Sequence, residues 1–476
     1  MADYLHGAET QRITTNTASS NGVDTAITAI IGTAPVFEVD EDYRTINEIV
    51  DINDTTAAAG YFGSTLPDYT IPSALEDFFK QGSGRIFVIN VFDPSKHKAS
   101  YSGTKTFVKG QITLNEKGVA NLTVTKAETP AVLDTDYTFD GTVITVKSGG
   151  TLSDSDEVTI NYDYADLTKL TPAEVIGGID ENGKKYGAEL LYDVQSIYGV
   201  TPRIIIAPGF SNLSQVATAL DIIAEKLGAV CYIDADEESS LDDIIKSRNQ
   251  EGAPFNTSSE RLKLLHQYVK VYNKTTNSYE YRPTSPFAAG LRANLDNSPV
   301  GGVHVSSSNH AYKGVEGVKT PVSFRLNDKS CDANKLNSYG ITTIINAGGE
   351  YREWGNRNAS FPQSSGIMTF ESCVRAIQFF EDSIEKLTLD TIDAPLTTAS
   401  KDRLLEKIRN FFNVQQSKGA TLGFDVWIDP AKNPSSKLAD GWLTVSYSCC
   451  PPPPMERVTY ENDVTIKYLD TTGDNE

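Results

Sequence analysis

The sequence predicts a mixed α/β (α+β) protein of several domains, with an inserted all-β domain and extended arms at both ends. Apolar runs such as "PRIIIAPGF" are typical of strands buried on both faces, and stretches with helical periodicity separate them. Residues 99–165 instead alternate apolar and polar positions between glycines, as antiparallel strands do. Both ends of the chain are polar, and each carries an isolated strand-like segment.

Composition restricts the class of protein. From its length of 476 residues we expect roughly three folded units, and its 39% hydrophobic content is enough to form large cores. No stretch approaches the ~18 to 20 apolar residues of a membrane span. The first residues lack the basic start and apolar run of a signal peptide, so we expect the protein in the cytoplasm where it is made.

Charge and cysteine content narrow the choice further. Asp and Glu number 63 against 42 Lys and Arg, a formal charge of −21, which repels phosphate backbones and argues against a nucleic-acid partner. The five cysteines are too few and too irregularly spaced for a disulfide framework. Neighbouring Cys449 and Cys450 could pair only in a strained ring, so reduced thiols are expected.

The N-terminal part contains an arm, a first α/β segment and the insert. Residues 1–22 are predicted as an arm with a strand-like piece around Ile13, and "VDTAITAIIGTAP" begins a core over 23–98. There a capping box of Ser73 and Glu76 predicts a helix that ends before Gly82 and leads to a buried strand. The β-rich residues 99–165 interrupt this pattern, and surface loops tolerate such insertions.

The α/β pattern resumes over 166–355. Here we expect a strand in "PRIIIAPGF", a helix over 212–227, a strand in "AVCYIDA", a helix over 239–247, a strand over 262–271 and a turn-rich stretch over 282–302. Residues 356–450 are predicted as a C-terminal domain of two amphipathic helices and two strands. Residues 451–476 form the last segment, an arm with a stiff polyproline spacer, Pro451 to Pro454, and a strand from Val458 to Leu469.

Two motifs resemble ligand sites but depart from them. Gly178 to Lys184 fits most of a phosphate-binding loop, but Lys185 stands where Ser or Thr must hold Mg²⁺, so a glycine turn before a helix "YGAELLYDVQ" is favoured. "DTDYTFDG" resembles a calcium loop with its third carboxylate misplaced. We expect no metal and no cofactor.

Signals for catalysis are also weak. His304 and His310 are six residues apart, which matches no zinc spacing. No Gly-x-Ser-x-Gly elbow occurs, although a spatial Ser/His/Asp set stays open because triads do not depend on sequence order. We therefore expect no enzyme.

The segment 348–362, "GGEYREWGNRNASFP", mixes glycine, charge and aromatic residues most densely. It could be a binding loop. Equally, Trp354 could pack while Arg352 and Arg357 pair with Glu350, Glu353 or another acidic neighbour. Composition leaves both readings open.

A resemblance bears on this segment. "YREWGNRNAS" after "GITTIINAGG" resembles the signature of contractile-tail sheath proteins of bacteriophages and phage-derived tailocins, carried here by Arg352, Trp354, Gly355, Asn356 and Arg357. The strand-helix-strand from Thr201, "AGLRANLDNSPVGGVHVSSSN", "GATLGFDVWIDPAKN" and "GWLTVSYSCCPPPPMERVTYE" are similar to further family segments in the same order. Asn358 departs from the usual Thr, "VHVSSSN" from the commoner Trp-Lys-Ala-Pro-Ala-Asn, and the insert lies outside the common core.

The resemblance implies a structural machine without a cofactor. Subunits would stack as hexameric rings around a tail tube and contract on a baseplate signal, driving the tube through a cell envelope. Implied partners are other sheath subunits, the tube protein, the baseplate and the tail terminator, with no nucleic acid and no membrane contact by the sheath itself. Assembly in the bacterial cytoplasm and residence in a virion tail or extracellular particle follow, with the insert facing outward and 356–450 near the tube.

Candidate contact residues follow from the resemblance together with local patterns. Family arms pair with a sheet of neighbouring subunits, and the arms here supply suitably alternating residues: Ile13, Val458, Tyr460, Val464, Ile466 and Tyr468. Arg403 and Lys407, four residues apart opposite an apolar stripe, are tube-facing candidates, with an ordinary solvated helix face as the alternative. For the whole chain, the alternative is an α/β enzyme with a β accessory domain. A third interpretation, a secreted adhesin, is disfavoured because the first residues do not resemble a signal peptide.

Overall fold

The computed structural model describes residues 23–274, 276–298 and 301–469. The chain divides into two compact units. The larger unit contains residues 26–375 and 453–469, and the smaller unit contains residues 23–25 and 376–452. Ile13 lies outside the described residues.

The first α/β segment of the larger unit contains β1 (Thr28–Gly32), β2 (Ile49–Ile52), α1 (Thr55–Phe62), α2 (Thr70–Gln81) and β3 (Ile86–Asn90). The predicted capping box of Ser73 and Glu76 is wrong, because α2 begins at Thr70, one turn earlier. Ser73 lies inside the helix, and its hydroxyl donates to the Thr70 carbonyl at 3.1 Å. Pro72 fits there because an N–H in the first turn would have no intrahelical acceptor.

The β-rich segment folds into two antiparallel sheets, as its alternation predicts. Its strands are β4 (Lys98–Thr106), β5 (Gln111–Thr113), β6 (Ala120–Lys126), β7 (Thr129–Pro130), β8 (Tyr137–Phe139), β9 (Val143–Val146) and β10 (Glu157–Ala165). The sheets have the orders β4-β10-β6-β7 and β5-β9-β8. Their facing side chains form a separate core that includes Phe107, Ile144 and Ile160.

The following segment contains α3 (Pro172–Ile176), β11 (Gly178–Ile179), β12 (Lys185–Tyr186), α4 (Val194–Tyr198), β13 (Ile204–Ile206), α5 (Ser214–Leu227), β14 (Val230–Asp234), α6 (Leu241–Ser247) and β15 (Leu262–Leu265). The expected helix "YGAELLYDVQ" is instead a 3-10 helix, Gly187–Asp193, followed by α4. The strand predicted over 262–271 is interrupted, because Gln267 has a φ of 89°.

The remaining elements are β16 (Tyr268–Asn273), β17 (Ser278–Pro283), α7 (Ser285–Asn297), β18 (Gly317–Val318), α8 (Asp332–Asn337), β19 (Ile341–Ala347), β20 (Glu350–Trp354), α9 (Glu371–Thr388), α10 (Thr398–Ser417), β21 (Phe424–Trp427), α11 (Ser435–Ala439) and β22 (Ser446–Cys449). The turn-rich prediction over 282–302 is wrong, because α7 occupies most of it. Further 3-10 helices are Val36–Glu38, Glu41–Tyr43, Leu167–Lys169, Ile367–Thr369, Leu389–Thr391 and Pro430–Lys432.

An eight-stranded sheet organises the larger unit, in the order β2-β3-β1-β13-β14-β15-β19-β20. Its inner strands from β3 to β19 run parallel, whereas β2 and β20 pair antiparallel at the two edges. One apolar core includes residues of α2 and α7, and another includes residues of α5. Burial on both faces explains the continuous apolar runs of β1, β13 and β14.

The smaller unit has an aromatic core. Phe380 of α9 and Phe412 of α10 lie with ring centroids 5.4 Å apart, and Phe412 stacks on Phe424 of β21 at 5.1 Å. The strands β21 and β22 form a two-stranded antiparallel sheet, which confirms the two predicted closing strands. The amphipathic stripes of the two helices thus pack as predicted.

Candidate assembly surfaces

The motif segment begins as a β-hairpin at the edge of the central sheet. Strand β20 pairs with β19, with Ala347 opposite Glu350. Arg352 donates to the carboxylate of Glu350 at 2.6 Å and to the carbonyl of Asn309 at 3.1 Å. Trp354 packs edge-on against Phe324 at 4.9 Å. Arg352 and Trp354 thus hold the hairpin in place, in agreement with the structural reading of this segment.

Gly355 turns the chain after the hairpin. Its φ is 143°, and a Cβ there would lie 2.8 Å from the Cα of Thr342. Only glycine tolerates both this conformation and this close approach. The turn leads to Asn356, whose carbonyl accepts the N–H of Glu371 at 3.1 Å, at the start of α9.

Arg357, the last residue of the family motif, contacts the C-terminal arm. Its guanidinium lies 4.6 Å from the ring centre of Phe361 and 3.7 Å from that of Phe370. It donates to both carboxylate oxygens of Glu456, at 2.9 Å and 2.5 Å. The expected acidic partner is therefore present, but 99 residues along the chain, beyond what local sequence indicates.

Sequence reasoning missed a buried ionic network beneath the hairpin. Lys263 of β15 donates to Glu353 of β20 at 2.5 Å and to Glu371 of α9 at 2.9 Å. These three residues are at most 4% exposed. The hydroxyls of Tyr232 and Tyr312 donate to Glu371 and Glu353, at 2.7 Å and 2.5 Å. Each buried carboxylate therefore has a cation and a neutral donor.

Three more charges surround this network. Arg292 of α7 bonds Asp296 at 2.7 Å, and Arg375 of α9 pairs with the other oxygen of Asp296. With Lys263, Glu353 and Glu371, these give three cations and three anions. Burial alone would raise the pKa of Glu371, but Lys263, Arg375 and Arg292 lower it to about 2. The group stays ionised and cross-links β15, β20, α7 and α9.

A sequence signal for this network exists. Lys263 is the single cation inside the apolar run "LKLL", and Arg292 lies in the apolar "FAAGLRANL". A charged residue inside a buried element requires a buried partner. The identity of that partner depends on the fold, because Glu353 and Glu371 lie 90 and 108 residues from Lys263.

The arm residues of the C-terminus are exposed. Within 453–469 the chain forms no strand, and exposure ranges from 57% for Val458 to 89% for Tyr460 among the candidates. Val464, Ile466 and Tyr468 are each at least 80% exposed. The predicted strand forms by pairing with a neighbouring subunit. The conformation of the single subunit does not test this pairing, which stays a prediction.

The tube-facing candidates lie outside the buried stripe of α10. Leu404 and Ile408 are buried, whereas Arg403 is exposed. Lys407 differs from the expectation of an open cationic patch, because its ammonium donates to both carboxylate oxygens of Asp390 at 2.6 Å. Arg403 is therefore the stronger source of positive charge on this face.

The motifs resembling ligand sites have structural roles. In the loop from Gly178, the Asp180 carboxylate accepts the N–H groups of Asn182 and Lys184 at 2.9 Å and 2.8 Å, so these donors cannot cradle a phosphate. In "DTDYTFDG", Asp136 accepts from the N–H groups of Val132 and Thr151, which lower its pKa.

The two histidines lie in different surroundings. Burial lowers the pKa of His304, while the Nδ1 of His310 faces the carbonyls of Ser307 and Ser308 at 3.2 Å. Among the described residues, no group of three or more His, Cys, Asp or Glu is arranged to hold a metal. In the same part of the chain, no helix combines the length and apolar character needed to cross a membrane.

Comparison with known proteins identifies the family. Residues 183–359 match the family model of the phage tail sheath protein central domain. The tail sheath protein of Burkholderia phage BcepMu is 36% identical over 478 residues, covering 98% of each chain. The tail sheath protein of Escherichia phage P2 is 30% identical and covers 63% of this chain and 74% of its own.

Solved structures agree in fold. The anti-feeding prophage helical sheath in its contracted state has a TM-score of 0.59 at 14% identity, covering 97% of this chain and 99% of its own. The sheath of the PVC extracellular contractile injection system, also contracted, has a TM-score of 0.58 at 13% identity, with 98% and 99% coverage. The BcepMu relative, aligned over almost its entire length, shows that the chain belongs to the contractile tail sheath protein family.

Proposed function

We propose that this sheath subunit polymerises as stacked six-membered rings around a tail tube and contracts to drive the tube through a cell envelope. The exposed C-terminal arm carries this proposal. Its apolar side chains alternate with polar ones, and Val464, Ile466 and Tyr468 are at least 80% exposed in the described part of the subunit. Such a segment gains main-chain hydrogen bonds and apolar burial when it adds to another subunit's sheet.

We propose the β21–β22 sheet as the acceptor of these arms. In the described residues each of its strands pairs only with the other, but the Val426 carbonyl of β21 accepts from Arg409 at 2.8 Å, so β22 offers the more open edge. Two-stranded sheets are marginally stable alone, and added strands would extend this one. Trp427, 38% exposed, offers apolar surface beside it. Arms from neighbours, including the N-terminal arm with Ile13, would join subunits through this sheet.

The remaining assignments complete the proposal. Residues 23–98 and 166–355 form the sheath core, 99–165 the outward decoration and 356–450 the tube-proximal domain, with arms at 1–22 and 451–476. Partners are other sheath subunits, the tube protein, the baseplate and the terminator. Assembly takes place in the bacterial cytoplasm before the particle is released. Contraction draws its energy from additional inter-subunit surface burial.

Electron microscopy tests the polymer directly. The purified chain, concentrated with and without tubes of the tube protein, is examined by negative staining. We expect hollow cylinders or stacked rings, because arm exchange links each subunit to its neighbours. Monodisperse subunits under all these conditions would contradict the proposal.

The tube-facing role of α10 is testable by charge reversal. We expect Arg403→Glu with Lys407→Glu to lower the affinity for tubes about tenfold, since the charges of a contact surface steer and select its partner. Co-sedimentation with tubes measures this affinity. The free energy of unfolding should change by no more than about 1 kcal/mol, because the substitutions break the surface pair of Lys407 with Asp390.

A matched variant controls for net charge. Lys96→Glu with Lys335→Glu makes the same change at exposed sites of the larger unit, where the two side chains are 71% and 46% exposed. This control should bind tubes normally. Equal binding by both double variants would place the tube contact elsewhere.

A further inference from the structure

The contact between Arg357 and Glu456 has features of a built receptor. The guanidinium lies against two aromatic rings and is only 16% exposed, whereas Glu456 comes from the exposed arm. The Nη1 of Arg357 also donates to the hydroxyl of Thr369. A planar, paired donor matches a carboxylate in both position and orientation, which an ammonium cannot do.

The position of Glu456 in the chain gives this contact its significance. Residues 376–452 belong to the smaller unit, and the chain joins the larger unit at Pro453. Glu456 follows the last of the four prolines by two residues, and from Met455 to Leu469 no residue is buried. The ion pair with Arg357 therefore attaches the arm to the body of the larger unit.

We propose that Arg357 is the receptor for Glu456 and fixes the point from which the C-terminal arm leaves the subunit. Attachment at Glu456 restricts the free tether to residues 457 onward. A shorter tether loses less conformational entropy on docking and raises the effective concentration of the strand at a nearby acceptor. This consequence for assembly rests on the proposed sheath function, whereas the attachment itself is a property of the single subunit.

Trypsin cleavage after Arg457 measures the attachment in the unassembled subunit. A protease must bind several extended residues around the cleaved bond, so Glu456 held by Arg357 protects this site, while Lys467 farther along serves as an internal reference. We expect Arg357→Gln to raise the ratio of cleavage at Arg457 to cleavage at Lys467 about fivefold, because cleavage follows the population of the released arm.

Two variants serve as controls. Arg352→Gln breaks the neighbouring ion pair with Glu350 and should leave the cleavage ratio unchanged. Arg357→Lys keeps the charge but loses the paired donor, and should give an intermediate ratio.

A second test changes the other partner of the ion pair. Glu456 lies in the exposed arm, so Glu456→Gln should release the arm without affecting the body. Peptides spanning 451–464 with Glu or Gln at position 456 correct for its effect on trypsin itself.

The outcomes separate this inference from the proposed function. Wild-type cleavage ratios in both Arg357→Gln and Glu456→Gln would overturn the receptor. A raised ratio supports it, even if the wild-type chain forms no cylinders, a result that would contradict the sheath proposal alone. If cylinders form, released-arm variants should need a higher subunit concentration to polymerise than Arg352→Gln.

Discussion

Lys263→Met should lower the free energy of unfolding of the larger unit by about 3–5 kcal/mol, as breaking a buried ion pair on one side does. The substitution keeps most of the apolar volume but leaves Glu353 and Glu371 without the ammonium that lies 2.5 Å and 2.9 Å from them. Urea unfolding followed by circular dichroism measures the loss.

Two comparisons make this result specific. Lys335→Met breaks an exposed pair with Asp242 at 3.3 Å and should cost less than about 1 kcal/mol. Adding Glu371→Gln to Lys263→Met leaves two cations and two anions in the network, so the double variant should be more stable than the sum of the single effects predicts. Additive effects, or equal losses for Lys263 and Lys335, would show that the network does not act as a unit.

The elements that could be predicted from sequence have a clear local pattern of apolar residues. The strands β13 and β14 are buried on both faces, which requires continuous apolar runs, and α10 has one buried face, which requires a stripe. Helix α7 has no helical signature in sequence, because ten of its thirteen residues are buried and it shows no polar face. Its Ser, Pro and Gly residues then resemble turn signals.

The functional contacts were less predictable, because their partners meet only after folding. The sequence around Arg357 indicates an acidic partner but cannot identify Glu456 across 99 residues. Lys407 illustrates the same limit, because its partner Asp390 lies in the connection between α9 and α10. Pairing between subunits depends on a second chain as well, and only the alternation of the arm residues indicates it.

Deleting residues 455–476 should abolish polymerisation and leave a folded, soluble subunit. From Met455 to Leu469 the chain buries no residue, so within the described residues the deletion removes no core contact and breaks mainly the Arg357–Glu456 pair, which costs up to about 1 kcal/mol. Polymerisation should lose several inter-subunit hydrogen bonds at about 1 kcal/mol each, enough to raise the critical concentration by about 100-fold or more. Sedimentation and negative staining measure this change.

A full-length variant separates the apolar face of the arm from its length. Val464→Asp with Ile466→Asp and Tyr468→Asp should reproduce the assembly defect, because alternate residues of an added strand face the same side and must be buried together. Thr465→Ser with Lys467→Ser changes the opposite face and should polymerise nearly as wild type does. The deletion and the triple variant both retain Arg403 and the β21–β22 sheet. Cylinders formed normally by the deletion would show that subunits join without the arm, and cylinders formed normally by the triple variant would show that its apolar face is not needed.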